Sequence, residues 1–268
     1  MRTNAFLILS LGIAIASLPT CTASGQTAEG SPRHAHELRI VLGGSYDQVK
    51  DELIAPIRWD GPGTTFELAY LVTGEKLHQA IELQLPVSFL ADRYDHKAYA
   101  FGASLRYARL SLIRRPSWGG ALFLGPQVRL NANCRFYADW DDSHLYWLNA
   151  YDLGPALKWS KASASKYNLS VTVQTPLLAL VSRPPAHQYF DQAHLKSFGY
   201  YLDALHSHLR LASINRYGGL SLSTEYRRQV NSKIVLGGAW MFEYEHASFP
   251  ESIGIVTDTL VCHVAFVL

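Results

Sequence analysis

Between Ala121 and Phe136 the side chains sort by parity. Even positions carry Leu122, Leu124, Pro126, Val128, Leu130, Ala132, Cys134 and Phe136. Odd positions carry Ala121, Phe123, Gly125, Gln127, Arg129, Asn131, Asn133 and Arg135. An extended chain turns successive side chains to opposite faces, whereas a helix repeats every 3.6 residues and would mix these two sets. The segment therefore reads as a long strand with one apolar face and one small, amide or cationic face. The pattern recurs at Glu37–Val49, Leu77–Phe89, Tyr167–Leu180, Gly219–Arg228 and Lys233–Glu245. It is weaker at Thr65–Thr73, Ala98–Leu112, Leu145–Trp159 and Val256–Leu268.

Several of these runs exceed the usual 5–6 residues of a strand in a soluble protein. They meet the roughly 9–11 residues that a strand tilted across a bilayer needs. A soluble lipocalin-like barrel or sandwich has the same alternation, with its apolar face turned inward. Strand length, the N-terminal segment and the connections separate the two.

The N-terminal segment points to export. Arg2 gives a positive start, and Ala5–Leu18 is apolar apart from Ser10, Gly12 and Ser17. Small residues follow at Ala23 and Gly25. This is the layout of a signal peptide cleaved before Gln26. A membrane anchor is disfavoured because the run falls short of about 20 residues. Lipidation at Cys21 is an alternative; Leu18 fits that pattern, but Thr20 stands where a small residue is usual. Beyond Gln26 no apolar run is long enough for a membrane helix. An exported membrane protein without such helices requires a closed sheet, because hydrocarbon cannot satisfy an open strand edge. The formal net charge of +2, with 17% charged residues, is too small a basic excess for a nucleic-acid partner.

The links between runs alternate in length. Lys50–Thr64, Ala91–Lys97, Tyr137–His144, Val181–Asn215 and His246–Gly254 are the longer set. Gly74-Glu75, Arg114–Gly119, Ser160–Lys166 and Val230-Asn231-Ser232 are the shorter set. Outer-membrane barrels show this asymmetry, with short periplasmic turns and longer outside loops. It places both termini in the periplasm and makes the strand number even.

The last strand carries Leu260, Cys262, Val264, Phe266 and Leu268 on one parity. It resembles the C-terminal signature by which outer-membrane barrels are recognised for assembly. Leu268 stands where an aromatic is usual, with Phe266 two positions earlier. The loop lengths resemble those of uncharacterised barrels of the Bacteroidota type. The resemblance implies two partners: outer-membrane lipid, and the barrel-assembly machinery through the C-terminal strand. It implies no cofactor.

The expected architecture is all-β: a closed antiparallel up-and-down transmembrane β-barrel of about 10 strands (8–12), with a long extracellular loop 181–215. Residues 1–25 form the signal peptide, 26–36 a short periplasmic segment and 37–268 the barrel.

The polar parity defines a lumen charge network of Glu37, Arg39, Glu82, Arg106, Arg129, Arg135, Asp152, Glu225, Arg227 and Glu243. Asp47, Glu67, Gln127, Lys158 and Glu245 lie on the same side. A barrel of about ten strands has little spare interior, so these charges should pair and close the bore. A narrow polar path selected by Arg106, Arg129, Arg135 and Arg227 is the alternative.

Seven histidines fall in expected outside loops: His96, His144, His187, His194, His206, His208 and His246. Asp92, Asp95, Asp139, Asp141, Asp142 and Asp191 lie near them. A possible rim site gathers Asp139, His144, His194, His206 and His208, where a His–Asp pair can serve as general base and orienter. Omptin-type barrel proteases have ten strands and rim acids with a His. The resemblance is architectural, and no motif of theirs aligns here. Two alternating His at 206 and 208 are too few donors for a zinc site, so no metal is expected. No catalytic residue is assigned: a non-enzymatic barrel is the leading expectation and a rim hydrolase the alternative. Within the long loop, Phe190, His194, Phe198, Tyr201, Leu205 and Leu209 recur at helical spacing, which predicts a short amphipathic helix over about Asp191–Leu209. Cys134 and Cys262 share the apolar parity on distant strands, which argues against a disulfide.

Overall fold

A computed structural model describes residues 35–139, 144–162, 167–185 and 208–268. Twelve strands follow in chain order: β1 Ala35–Asp51, β2 Ala55–Thr73, β3 Leu77–Asp92, β4 Lys97–Arg114, β5 Ala121–Tyr137, β6 His144–Ala162, β7 Tyr167–Gln174, β8 Leu178–Ser182, β9 Arg210–Ser213, β10 Tyr217–Gln229, β11 Ile234–Ala247 and β12 Ile253–Val267. All pairings are antiparallel. The sheet runs β5-β4-β3-β2-β1-β12-β11-β10-β7-β6 and closes through β5–β6, giving a ten-strand barrel. The β8–β9 pair extends from β6. Closure is sealed at the chain ends, where Leu268 N–H donates to the His36 carbonyl at 2.9 Å.

β7 and β8 occupy one barrel position, interrupted at Pro176, which lacks an N–H for the ladder. Thr175 N–H still donates to the Pro155 carbonyl and Leu177 N–H to that of Leu153. Gly154 permits this close passage, since a Cβ there would lie 1.9 Å from the Thr175 oxygen. The expected strand Tyr167–Leu180 is thus two pieces, and the long connection is 183–209 in place of 181–215.

The expected link Lys50–Thr64 is corrected more strongly. Gly61-Pro62-Gly63 reads as a turn, yet β2 starts at Ala55 and runs through it. Gly61 passes so close to β3 that a Cβ would meet the Phe89 oxygen at 2.0 Å. Pro62 keeps its pairing to Tyr46 of β1. The turn shrinks to 52–54, where Asp51 accepts the backbone N–H of Leu53 through its carboxylate and that of Ile54 through its carbonyl. With the 93–96 turn also short, the expected alternation of loop lengths rests largely on the connection 183–209. β1 begins at Ala35 and takes two residues from the expected segment 26–36. The expected signal peptide, most of that segment and nearly all of the expected helix Asp191–Leu209 lie outside the described residues.

Every expected strand but Tyr167–Leu180 keeps its parity, with the apolar parity facing out; in that one the phase shifts at Pro176, so that Leu178 is exposed and Ala179 buried. Ile40, Leu42, Phe66, Leu68, Tyr70, Ile81, Leu83, Leu85, Val87, Phe89, Leu105, Trp240 and Leu260 are all exposed, Leu42 at 64% and Leu260 at 69%. The inward parity is buried: Glu67 is 5% exposed, Arg129 6% and Asp152 4%. Register joins the outward residues into a belt, with Ile40 opposite Leu68, Leu68 opposite Leu83, Leu83 opposite Leu105 and Leu105 opposite Leu130. Aromatics bound it: Tyr70 and Tyr107 both oppose Ile81 toward the chain ends, and Phe89 meets Tyr99 toward the loops. A soluble lipocalin-like barrel, held open by the alternation alone, needs the opposite arrangement.

The bore is not uniformly polar. At the loop end an apolar cluster is fed by nearly every barrel position, including Val49, Trp59, Leu90, Tyr137, Tyr146, Leu148, Val181 and Ile253. Trp59 packs edge-on to Tyr137 at 4.9 Å and Tyr137 edge-on to Tyr146 at 5.7 Å. This layer lies inside the bore where the sequence predicts a polar lumen.

Candidate functional site

Below the apolar layer Arg39, Arg106, Arg129 and Arg227 cross the bore, each held by acids from two or more strands. Arg39 of β1 reaches Glu67 at 2.7 Å, Glu225 at 2.9 Å and Glu82 at 3.3 Å. Arg227 pairs with Glu37 and lies 3.9 Å from Glu225. His263 approaches the same Glu225 carboxylate at 3.4 Å. Lys158 Nζ donates to His78 Nε2 at 3.1 Å. Toward the loops, Arg106 joins Glu243 at 2.7 Å and Glu82 at 3.6 Å. Arg129 joins Glu245 at 2.6 Å and Asp152 at 2.8 Å, and donates to the Tyr217 hydroxyl at 2.9 Å. Asn131 adds a donor to Glu245.

The arrangement follows from barrel geometry. A buried charge needs a partner and further hydrogen bonds to offset desolvation. In a narrow barrel an inward arginine reaches across the bore, so it meets an acid on a non-neighbouring strand as well as one on the adjacent strand, as Arg106 meets Glu82 and Arg129 meets Asp152. Arg39 and Glu225 are 186 residues apart; Arg106 and Glu243 are 137 apart. The space that remains includes a cavity of about 70 Å³ toward the loops and one of about 80 Å³ toward the chain ends. Arg106 lines the second and Glu243 the first, so their ion pair stands between them.

Nine of the ten residues expected for the charge network make these contacts: Glu37, Arg39, Glu82, Arg106, Arg129, Asp152, Glu225, Arg227 and Glu243. Arg135 departs. It points inward and is 1% exposed, yet Nε, Nη1 and Nη2 all lack a hydrogen-bond partner among the described residues. The sequence reading left out His78, His263 and Tyr217. The histidines sit on the inward parity and were readable from it; Tyr217 precedes the expected strand start. It also left out Arg183, which pairs with Asp51 at 2.7 Å and donates to the Phe249 and Glu251 carbonyls. Both partners fell in expected loops.

Of the possible rim site only the Asp139 and His208 side chains are among those described. Asp139 is exposed and accepts the Lys97 backbone N–H at 2.9 Å. His208 is exposed in a turn. His194, His206 and the His144 side chain lie outside the description. A different rim pair is formed in the 93–96 turn. Asp92 Oδ2 takes His96 Nδ1 at 2.8 Å, and Oδ1 accepts the backbone N–H of Tyr94 and of His96. The hydrogen bond and charge of Asp92 raise the His96 pKa above its ordinary value. Among the described residues no group of three or more His, Cys, Asp or Glu is placed to hold a metal ion. Cys134 and Cys262 are free thiols on the outward parity.

No protein-family model matches the chain, and no curated protein matches it either. Solved structures similar in outline include the outer membrane protease OmpT from Escherichia coli, at 9% identity and a TM-score of 0.49 over 91% of this chain and 99% of that one. The transport unit of the autotransporter AIDA-I from Escherichia coli is similar at 8% identity and a TM-score of 0.44, over 98% of each chain. The translocator domain of the autotransporter NalP from Neisseria meningitidis gives 11% identity and a TM-score of 0.42, over 98% of this chain and 96% of that one. At this level the likeness carries no argument about activity.

Proposed function

We propose that this chain is a bacterial outer-membrane β-barrel with a closed bore, a structural or ligand-binding barrel in place of an open pore. The observation that carries the reading is the inside-out distribution of side chains. A belt of exposed Leu, Ile and aromatic residues surrounds a core of paired Arg, Glu and Asp. Water punishes that arrangement, because the exposed apolar area forgoes the hydrophobic gain on every strand. Hydrocarbon rewards it, since a closed ladder leaves no backbone group unpaired and apolar side chains meet lipid. The outward run Ile81–Phe89 spans nine residues, within the length a tilted membrane strand needs. Two barriers in series favour a closed bore: the apolar layer around Trp59, Tyr137 and Tyr146, and the arginine–carboxylate layer below it.

The purified protein should be extracted only by detergent and should migrate on gels at different positions before and after boiling. In planar bilayers it should give no steady conductance. Stable open-channel steps contradict the closed bore; detergent-free solubility with no heat-dependent shift contradicts the membrane barrel itself.

A further inference from the structure

The cavity below the apolar layer holds two charges that the ion network leaves over. Arg135, on β5, is buried, and its three guanidinium nitrogens find no hydrogen-bond partner among the described residues. Arginine stays protonated, so a planar fork of donors is fixed in an interior where an isolated charge is costly. Asp47, on β1, faces the same cavity and is 8% exposed. Its carboxylate accepts the hydroxyls of Ser88 and Ser45 but pairs with no cation among the described residues. The other acids of this wall are engaged, Glu243 by Arg106 and Glu245 by Arg129 and Asn131.

We propose that this cavity binds a small zwitterion of the amino-acid type, its carboxylate on the Arg135 fork and its ammonium on Asp47. Guanidinium matches a carboxylate in two parallel hydrogen bonds, the strongest and most directional pairing open to it. A ligand with both signs satisfies both leftover charges and adds no net charge to the bore. The acids on the wall oppose a dianion such as phosphate. At about 70 Å³ the cavity accepts a ligand of a few heavy atoms, and Val49, Leu90 and Ile255 line it beside the polar groups.

Equilibrium dialysis of the detergent-solubilised protein against radiolabelled glycine and, separately, acetate tests this. Long equilibration allows for slow entry past the apolar layer. Glycine should be retained at close to one per chain. Arg135→Met should weaken retention about tenfold or more, the loss expected for a charge-assisted pair. Arg135→Lys, which keeps the charge, should weaken it less. Asp47→Asn should weaken glycine and leave acetate unchanged. A heat-dependent gel shift identifies variants that still fold and separates a failure here from a failure of the barrel reading. Absence of glycine retention by the wild-type chain means that water alone satisfies the guanidinium and overturns the proposal. Unchanged retention in a folded Arg135→Met variant overturns it as well. Equal sensitivity of acetate and glycine to Asp47→Asn rejects the ammonium site.

Discussion

Replacing Arg39 with Met lowers the unfolding free energy by about 3–5 kcal/mol, the cost of breaking a buried ion pair from one side. The effect belongs at the top of that range because one guanidinium serves Glu67, Glu82 and Glu225. Its removal leaves three carboxylates in an enclosed space, where like charges repel and water is scarce. Adding Glu67→Gln to Arg39→Met should recover part of the loss, since Arg39 is the one ion-pair partner of Glu67 among the described residues; the two changes will be non-additive because the residues touch. Urea titration of the protein in lipid vesicles, followed by tryptophan fluorescence, gives both numbers. A loss below about 1 kcal/mol, the range of exposed ion pairs, would show that solvent reaches the network freely.

Placing Arg at Leu83 costs about 2–4 kcal/mol, and placing it at Ile113 costs about 0–1 kcal/mol, by the depth dependence of charge in a lipid-facing strand. Both side chains are exposed on the outward parity. They differ only in height: Leu83 lies between Leu68 and Leu105 in the middle of the belt, whereas Ile113 lies beside the turn that ends β4 at Arg114. On a water-soluble surface an exposed leucine replaced by Arg changes stability by only about 0.5 kcal/mol at either site. The difference between the two positions is therefore the quantity to measure, in the same vesicle assay. Equal and small costs would remove the belt from hydrocarbon.

Most of the strand content and the facing of most inward charges were legible in the sequence because they depend on period-two order; the phase shift at Pro176 was not. Period-two order is how Arg39, Arg106, Arg129, Arg227 and their acids could be placed on one side before any coordinates. Which acid meets which arginine was not legible. Arg106 finds Glu243 on β11 only because barrel closure brings distant strands across one bore, and linear order holds no register between them. Backbone exceptions misled in a different way. Gly61-Pro62-Gly63 carries the composition of a turn, but tertiary pairing draws it into β2, with glycine used for close strand approach. Losing that long link weakened the loop-length argument for orientation. The apolar layer was missed because Trp59 and Ile54 fell in the same expected loop, while Tyr146, Leu148 and Ala150 sit in a strand that is apolar on both faces at that height. Arg135 shows the limit of parity most plainly: its side was readable, and its lack of a partner among the described residues was not.

Nitroxide scanning of residues 81–87 on β3, in reconstituted vesicles, addresses directly which face of the sheet meets lipid. Collision with oxygen, which concentrates in hydrocarbon, should peak at Ile81, Leu83, Leu85 and Val87. Collision with a water-soluble nickel chelate should stay low at those four. A reversed phase, with the chelate reaching the odd positions and oxygen favouring Glu82 and Gln84, would contradict a barrel that carries its ionic side within and its leucines against lipid.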